Sequence, residues 1–220
     1  MTATDFTVYA TIFGLGVYHG VNPAMGWLFA VALGLQERSL RAVFTALFPI
    51  TLGHALSIAL VVAVVLLAQA VLPLRALKVA IASILIAVGV LRLWRPRHFR
   101  WVGMKLTKSE LTLWSFLAAT AHGAGLIVSP LALCLPQGVT RKSAVLFNFP
   151  LGDLVPLGDS ALLAVGIHTV GLLLAMALTA WFVYAKLGLT LLRQWWFNFD
   201  LIWGLALLAA GLATVVVGLG

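Results

Sequence analysis

The sequence predicts an all-α integral membrane protein, with six transmembrane helices arranged as two inverted three-helix repeats. Composition is the first observation: 63% of the 220 residues are hydrophobic, 9% are charged and the mean hydropathy is +1.11, whereas about 25% of a soluble domain is charged. The apolar residues also fall into runs of about 20, the length that crosses a bilayer. Finally, a His-Gly pair occurs at a similar place in each half of the chain, at His19-Gly20 and at His122-Gly123.

Six helices are predicted, at residues 8–34, 42–70, 75–94, 111–135, 160–184 and 200–219. The first ends at the polar turn QERSLR, the second ends before Pro73, and the third runs into the basic loop RLWRPRHFRWVGMK. The second contains Pro49, which predicts a tilt or a kink. Residues 136–160 are irregular, because they contain glycines and prolines and their apolar run is too short to span. That stretch is either a loop or a segment that dips partly into the membrane.

Lysine and arginine residues predict the orientation. With six spans, ten of these bases fall in the loops after the first, third and fifth helices, and four fall on the side that holds both termini. The positive-inside rule then places both termini outside and predicts a multi-pass protein of the inner (plasma) membrane. The start MTATDFT has no Lys or Arg, so it lacks the basic region of a signal peptide and the first segment is interpreted as a mature helix. The net charge of +8 reflects this topology, so the expected partner is the lipid bilayer and not nucleic acid.

The two halves of the chain, 1–110 and 111–220, are interpreted as two repeats within one membrane domain. Three pairs of segments carry the similarity, at offsets of 103, 114 and 122 residues: His19-Gly20 with His122-Gly123, Gly53-His54 with Ile167-His168, and 85–90 with 207–212. Three is an odd number of helices, so the second repeat enters from the opposite side of the membrane. Inverted repeats are typical of secondary transporters, whose binding site lies near the midplane between the repeats.

Four histidines lie inside predicted helices, where ionisable residues usually face a cavity or the bundle interior. They occur one per helix at matching places in the two repeats, so we expect them to share a site. Neutral imidazole is a ligand for transition metals; the alternative is a set of structural histidines bonded to helix carbonyls. The candidate metal ligands are His19, His54, His122 and His168. The candidate path for a substrate or ion also includes Asn22, Ser57 and Ser129.

Two prolines are expected to free backbone carbonyls beside this site. His19 and Asn22 are three residues apart and so share a helical face. Pro23 has no N–H to donate, so the carbonyl of His19 is expected to lose its helical partner and to become available to a cation. By the same reasoning Pro130 frees a carbonyl one turn earlier, next to Ser129.

Asp153 and Asp159 flank an apolar VPL segment in the irregular stretch. They are interpreted as surface loop acids. If the stretch folds into the membrane instead, they become sites that couple transport to a proton or a cation.

Two segments resemble motifs of the nickel/cobalt transporter (NicO-type) families, within the lysine-exporter-like superfamily. His19-Gly20-Val21-Asn22-Pro23-Ala24-Met25 is similar to their first-helix signature, and Gly53-His54-Ala55-Leu56-Ser57 is similar to their later histidine motif. The resemblance implies six or more helices from two three-helix repeats, and it carries His19 and His54 over as metal ligands. Asn22 stands where the signature has an acid and Met25 where it has a second histidine, so the substrate is open to ions other than nickel and cobalt.

The leading hypothesis is a membrane transporter that moves a small cation, a transition-metal ion such as nickel, cobalt, copper or zinc, through the histidine site. Protonation of the imidazoles would release the ion. The alternatives are an exporter of a small organic solute such as an amino acid, a haem-binding electron-transfer protein, and a membrane scaffold or assembly factor. No nucleophile–base pattern, HExxH motif, phosphate loop or nucleotide fingerprint occurs, so an enzyme is not expected. The sequence leaves a homo-oligomer open.

Overall fold

The computed structural model describes residues 3–94, 107–135, 159–187 and 199–219. All regular secondary structure within these ranges is helical, and no strand occurs in them. The all-α part of the predicted fold class is therefore confirmed. The basic loop and the irregular stretch before Asp159, with Asp153 in it, lie outside the described residues.

Eight α-helices follow one another along the described chain: α1 (Ala3–Val21), α2 (Trp27–Glu37), α3 (Leu40–Val71), α4 (Leu74–Trp94), α5 (Lys108–Ala121), α6 (Ala124–Cys134), α7 (Asp159–Phe182) and α8 (Phe199–Leu219). A 3-10 turn at Pro23–Met25 joins α1 to α2, and a π-helical turn at Val183–Leu187 extends α7. The predicted helices at 42–70, 75–94, 160–184 and 200–219 are confirmed as α3, α4, α7 and α8. The predicted helices at 8–34 and 111–135 are wrong as continuous elements, because each is broken in two.

The first break follows from the sequence Asn22-Pro23. Asn22 leaves the helix with extended backbone, and its Oδ1 accepts a hydrogen bond from the Ala24 amide at 3.0 Å. The turn ends at Gly26, whose φ of 112° is a conformation that side chains with a Cβ rarely adopt. The indole Nε1 of Trp27 donates back to the carbonyl of Val21 at 3.1 Å, which satisfies one acceptor at the end of α1. An amide cap, a proline and a glycine thus divide one apolar run into two helices.

The second break lies at His122-Gly123. Gly123 has a φ of 70° and starts α6, so the chain turns through a left-handed residue instead of continuing the helix. The axes of α5 and α6 differ by 67°. Each half of the chain therefore opens with a broken helix, and a His-Gly pair lies at or just before each break.

Three of the described helices are long and apolar enough to cross a membrane, by length and composition alone, and the bent pair α5–α6 makes a fourth if it forms one span. Many large apolar side chains on these helices face outward, including Phe48, Leu60, Val64 and Leu178. Such a surface is what a helix presents to lipid and is unusual in a soluble monomer.

The helices associate mainly in three pairs, α1 with α7, α3 with α5, and α4 with α8. Glycines allow the backbones to approach: a Cβ on Gly16 or Gly20 would collide with the α7 carbonyls of His168 or Leu172, and a Cβ on Gly53 would collide with the α5 carbonyl of Thr112. Small residues at such crossings are characteristic of helix packing in membranes.

Buried apolar side chains form the core between these helix pairs. One cluster joins α2, α3, α5 and α7 through side chains such as Leu47, Ile50 and Met176, and a second joins α3, α5, α6 and α7 through Ile58, Val128 and others. Helices α3, α5 and α7 contribute side chains to both clusters.

Candidate functional site

Three of the four helix histidines come together in the interior of the bundle. The ring centroids are 5.0 Å apart for His19 and His168, 5.5 Å for His19 and His54, and 5.7 Å for His54 and His168. None of the three side chains exposes more than 1% of its surface. Three imidazoles from α1, α3 and α7 thus form one buried cluster, called here the histidine cluster.

Local packing sets the position of each ring. His19 lies in the last turn of α1, and its Nδ1 is 2.7 Å from the carbonyl oxygen of Leu15, which orients the ring and leaves Nε2 on its far side. Gly16, one turn before His19, brings α1 against the backbone of His168 itself. Gly53, next to His54, lets α3 approach α5 equally closely. Gly16 and Gly53 therefore help to set the positions of His168 and His54.

Several polar atoms in and beside the histidine cluster are buried without a hydrogen-bond partner within the described part of the chain. Among them are Nε2 of His54 and the hydroxyl of Thr51, one turn before His54. Leaving such a group unsatisfied costs about 1–3 kcal/mol. The interior concentrates this cost at one place, which is what a binding site for a polar or charged species requires.

His122, the fourth predicted ligand, is half-buried at the C-terminal end of α5, and its Nδ1 lies 2.6 Å from the carbonyl oxygen of Ala118. The structure therefore places His122 at the break between α5 and α6.

Asn22 is buried near the end of α1, but its side-chain oxygen is engaged in capping the 3-10 turn. The expectation of a free His19 carbonyl is wrong: this oxygen accepts a hydrogen bond from the amide of Asn22 at 3.1 Å. The turn that replaces the continuous helix supplies the donor that Pro23 lacks.

Ser57 and Ser129 are fully buried and serve helix contacts. The Ser57 hydroxyl is 2.8 Å from that of Thr120, which itself donates to the carbonyl of Phe116, so Ser57 is the donor of this bond between α3 and α5. The Ser129 hydroxyl donates to the Gly125 carbonyl within α6 at 2.7 Å. A further hydroxyl missed in the sequence, Ser115 on α5, donates to the Ile50 carbonyl of α3 at 2.6 Å. Its spacing of four residues from the small residue Ala119 was the available signal for a helix-contact face.

The acidic residues in the described part of the chain lie at or near the ends of helices. Asp159 is the first residue of α7, nine residues and so about 13 Å along the axis from His168. Glu37, Glu110 and Asp200 also stand at or near helix ends, and Asp5 lies fourteen residues before His19 in α1. The polar groups that the described residues bring together here are the three imidazoles, with the Thr51 hydroxyl one turn from His54.

Among the described residues, no group of three or more His, Cys, Asp or Glu side chains is arranged so that it could hold a metal ion. The separations of the ring centroids can still be compared with those expected around one ion. A metal–nitrogen bond of about 2.0–2.1 Å puts each ring centroid about 3.2 Å from the ion, so three rings around one ion lie about 5.2–5.5 Å apart. The observed separations of 5.0, 5.5 and 5.7 Å bracket this range.

No protein-family profile, curated protein or solved structure matches this chain.

Proposed function

We propose that the protein is a membrane transporter that carries a small cation, a transition-metal ion, on the histidine cluster of His19, His54 and His168. The observation that carries the proposal is the meeting of three buried imidazoles from three helices, with ring spacings that suit one shared ion. Intramembrane ionisable residues mark ion pathways. The outward-facing apolar side chains and the candidate spans support the membrane setting.

Two inverted three-helix repeats form part of the proposal, and the helix pairing supports them. In two such repeats α1 corresponds to α5, α3 to α7 and α4 to α8. A two-fold axis that exchanges the repeats turns the α1–α7 pair into the α5–α3 pair. It also requires α4 to pack against its own equivalent, α8. Those are the three dominant pairs. A six-span chain with both termini outside is the topology that fits this arrangement and the distribution of basic residues.

Contacts within the α4–α8 pair support the repeats at residue level. A Cβ on Gly89 would lie 3.1 Å from the Gly204 carbonyl oxygen, and a Cβ on Gly211 would lie 3.1 Å from that of Ala82. At the 122-residue offset read from the sequence, Gly89 corresponds to Gly211 and Ala82 to Gly204. The two contacts are therefore the same contact made twice, as a two-fold axis between α4 and α8 requires.

The other two pairs agree in the same way. Gly171 of α7 packs against Val17 of α1: a Cβ built on Gly171 would lie 3.2 Å from the amide nitrogen of Val17. At offsets of 114 and 103 residues the equivalent pair is Ser57 of α3 and Thr120 of α5, whose hydroxyls are 2.8 Å apart. A glycine makes this contact in the α1–α7 pair, and two paired hydroxyl groups make it in the α3–α5 pair.

The division of the site between helix pairs suggests how an ion could be exchanged. His19 and His168 belong to the α1–α7 pair, which the close approach at Gly16 and Gly20 holds together. His54 belongs to the α3–α5 pair. Movement of one pair relative to the other would withdraw one imidazole from the other two and open the site, which is the alternating access expected of inverted-repeat transporters.

Export of an organic solute is the less favoured function, because the ring spacing leaves no room for one between the histidines. An ammonium group that donates hydrogen bonds of about 2.9 Å to three imidazoles would need ring centroids about 6.6 Å apart. The observed separations are 5.7 Å or less.

Transport by purified protein in proteoliposomes tests the proposal. Uptake of nickel, cobalt, copper and zinc is compared between the wild type, a His19→Ala/His54→Ala double variant and a His98→Ala control, which removes a histidine outside the predicted helices. We expect ion flux in the wild type and the control and a loss of at least ~10-fold in the double variant. Equal flux in the double variant and the wild type would refute the role of the cluster.

A further inference from the structure

We infer that the histidine cluster selects a monovalent soft cation, copper(I) or its analogue silver(I), over divalent ions. This inference rests on the proposed cation transport and adds the charge and softness of the substrate. The observations behind it are the neutral donor set, the position of every described acid, and the spacing of the rings.

The polar groups that make up the site carry no formal charge when the imidazoles are neutral. Imidazole and hydroxyl donors bring no negative charge, and the described acids stand at or near helix ends, with Asp159 about 13 Å along α7 from His168. The helix breaks do not supply the missing charge. At each break the negative C-terminal end of one helix faces the positive N-terminal end of the next, α1 with α2 and α5 with α6, so their dipoles largely cancel.

Desolvation then separates ions by valence. Moving an ion from water into a low-dielectric interior costs free energy that grows with the square of its charge, about fourfold from a monovalent to a divalent ion. A site with three or four neutral donors, buried to 0–1% exposure at its histidines, offers a divalent ion no carboxylate or thiolate from the described part of the chain to offset that cost. A monovalent ion leaves only one uncompensated charge.

Donor chemistry identifies which monovalent ion fits. Sodium and potassium are hard ions that take oxygen ligands, whereas imidazole nitrogen suits copper and its neighbours. Copper(I) and silver(I) accept low coordination numbers, so three imidazoles suffice. A trigonal arrangement with metal–nitrogen bonds of about 2.0 Å gives ring separations of about 5.5 Å, against observed values of 5.0, 5.5 and 5.7 Å.

Thr51 offers a way to change the charge of the site without removing an imidazole. Its side chain is 7% exposed, its hydroxyl has no partner among the described residues, and it lies one turn from His54 on α3. Thr51→Asp would add one negative charge beside the cluster, and Thr51→Asn would add a group of the same size without charge. The inference predicts that only Thr51→Asp moves the preference toward divalent ions.

The test is calorimetric titration of the purified full-length protein in chloride-free buffer with silver(I), nickel, cobalt and zinc. All variants carry Cys134→Ser, because the exposed thiol of Cys134 would bind silver on its own. We expect one silver ion per chain, bound at least ~100-fold more tightly than any divalent ion, lost in His54→Ala and in His168→Ala. Thr51→Asp should reduce that ratio at least ~10-fold and Thr51→Asn should not.

The outcomes separate the two levels of the proposal. Tighter binding of a divalent ion, dependent on His54 and His168, would overturn the selectivity and leave cation transport standing. No histidine-dependent binding of any of the four ions by correctly folded wild type would overturn both. An unchanged ratio in Thr51→Asp that still binds silver would show that charge does not set the preference, which also overturns the inference.

Discussion

Single buried hydroxyl groups on α3 and α5 differ in whether they have a hydrogen-bond partner. Ser115 and Thr51 are both buried, yet Ser115 donates to the Ile50 carbonyl over 2.6 Å while Thr51 has no partner within the described residues. A helix can satisfy a threonine hydroxyl through a carbonyl one turn earlier, as Thr120 and Thr169 do here. Thr51 departs from that pattern beside the histidine cluster.

Thr51→Val is expected to raise the free energy of unfolding by about 1 kcal/mol, because it removes an unsatisfied buried hydroxyl at nearly constant volume. It should also weaken cation binding, since the hydroxyl is lost from the site. Unfolding in detergent micelles and cation titration measure the two effects.

Ser115→Ala is the matched control for that prediction. It removes a buried hydroxyl that does have a partner, so it should lower the free energy of unfolding by about 1 kcal/mol and leave cation affinity unchanged. If both variants destabilise the protein equally, Thr51 has a partner in solution and is an ordinary structural residue.

Glycine packing decides the geometry at the scale of helices. Gly16 lies against the His168 carbonyl of α7, and a Cβ at that position has no room because the obstacle is backbone. Gly14, two residues earlier in α1, has no atom within 4 Å of the position that a Cβ would take. A glycine in an apolar helix suggests a close helix contact, and the structure shows one at Gly16 but none at Gly14.

Gly16→Ala is expected to separate α1 from α7, to cost about 1–3 kcal/mol of stability, and to weaken cation binding because it displaces His168 from His19. Gly14→Ala should be neutral or stabilising by up to about 1 kcal/mol, through helix propensity. Thermal unfolding midpoints and cation titration of the two variants test this contrast. Equal unfolding midpoints and equal cation affinities of the two variants would mean that the contact between α1 and α7 does not position the site.

The helices that contain breaks mark the limit of prediction from the sequence. Apolar periodicity predicted α3, α4, α7 and α8 well, because a long apolar run has few alternatives to a helix. It did not show the breaks at Asn22–Gly26 and Gly123, since these depend on positive φ values and on a side-chain cap that leave the apolar pattern intact. Proline was read as a kink and a freed carbonyl, whereas the chain turned and satisfied that carbonyl locally.

The site was predictable in part for a similar reason. The rarity of histidine in apolar helices identified His19, His54 and His168, and pairing of the halves predicted that they meet. Spacing along the chain could not show that the Asn22 side chain caps a turn or that Ser57 pairs with Thr120. Those roles depend on neighbours that only the packed helices provide.

The whole molecule, as proposed, combines three features: two repeats related by a two-fold axis, helix pairs that can move as units, and a cation site divided between those pairs. The first rests on the pairing of α1 with α7, α3 with α5 and α4 with α8. The last depends on three rings that lie within 6 Å of one another and come from both halves of the chain. A site shared in this way exists only in the folded whole, so neither repeat alone should bind the ion.

X-ray absorption spectroscopy at the edge of the bound metal reports directly on whether the three imidazoles bind the ion. The full-length protein with Cys134→Ser, loaded with one equivalent of its tightest-binding ion, should show about three nitrogen ligands at about 2.0–2.2 Å and the outer-shell scattering of imidazole. His54→Ala should lose one imidazole from that shell, and His98→Ala should leave the spectrum unchanged. A first shell of sulfur or oxygen without imidazole scattering, or a spectrum that His54→Ala does not alter, would contradict the proposed histidine site.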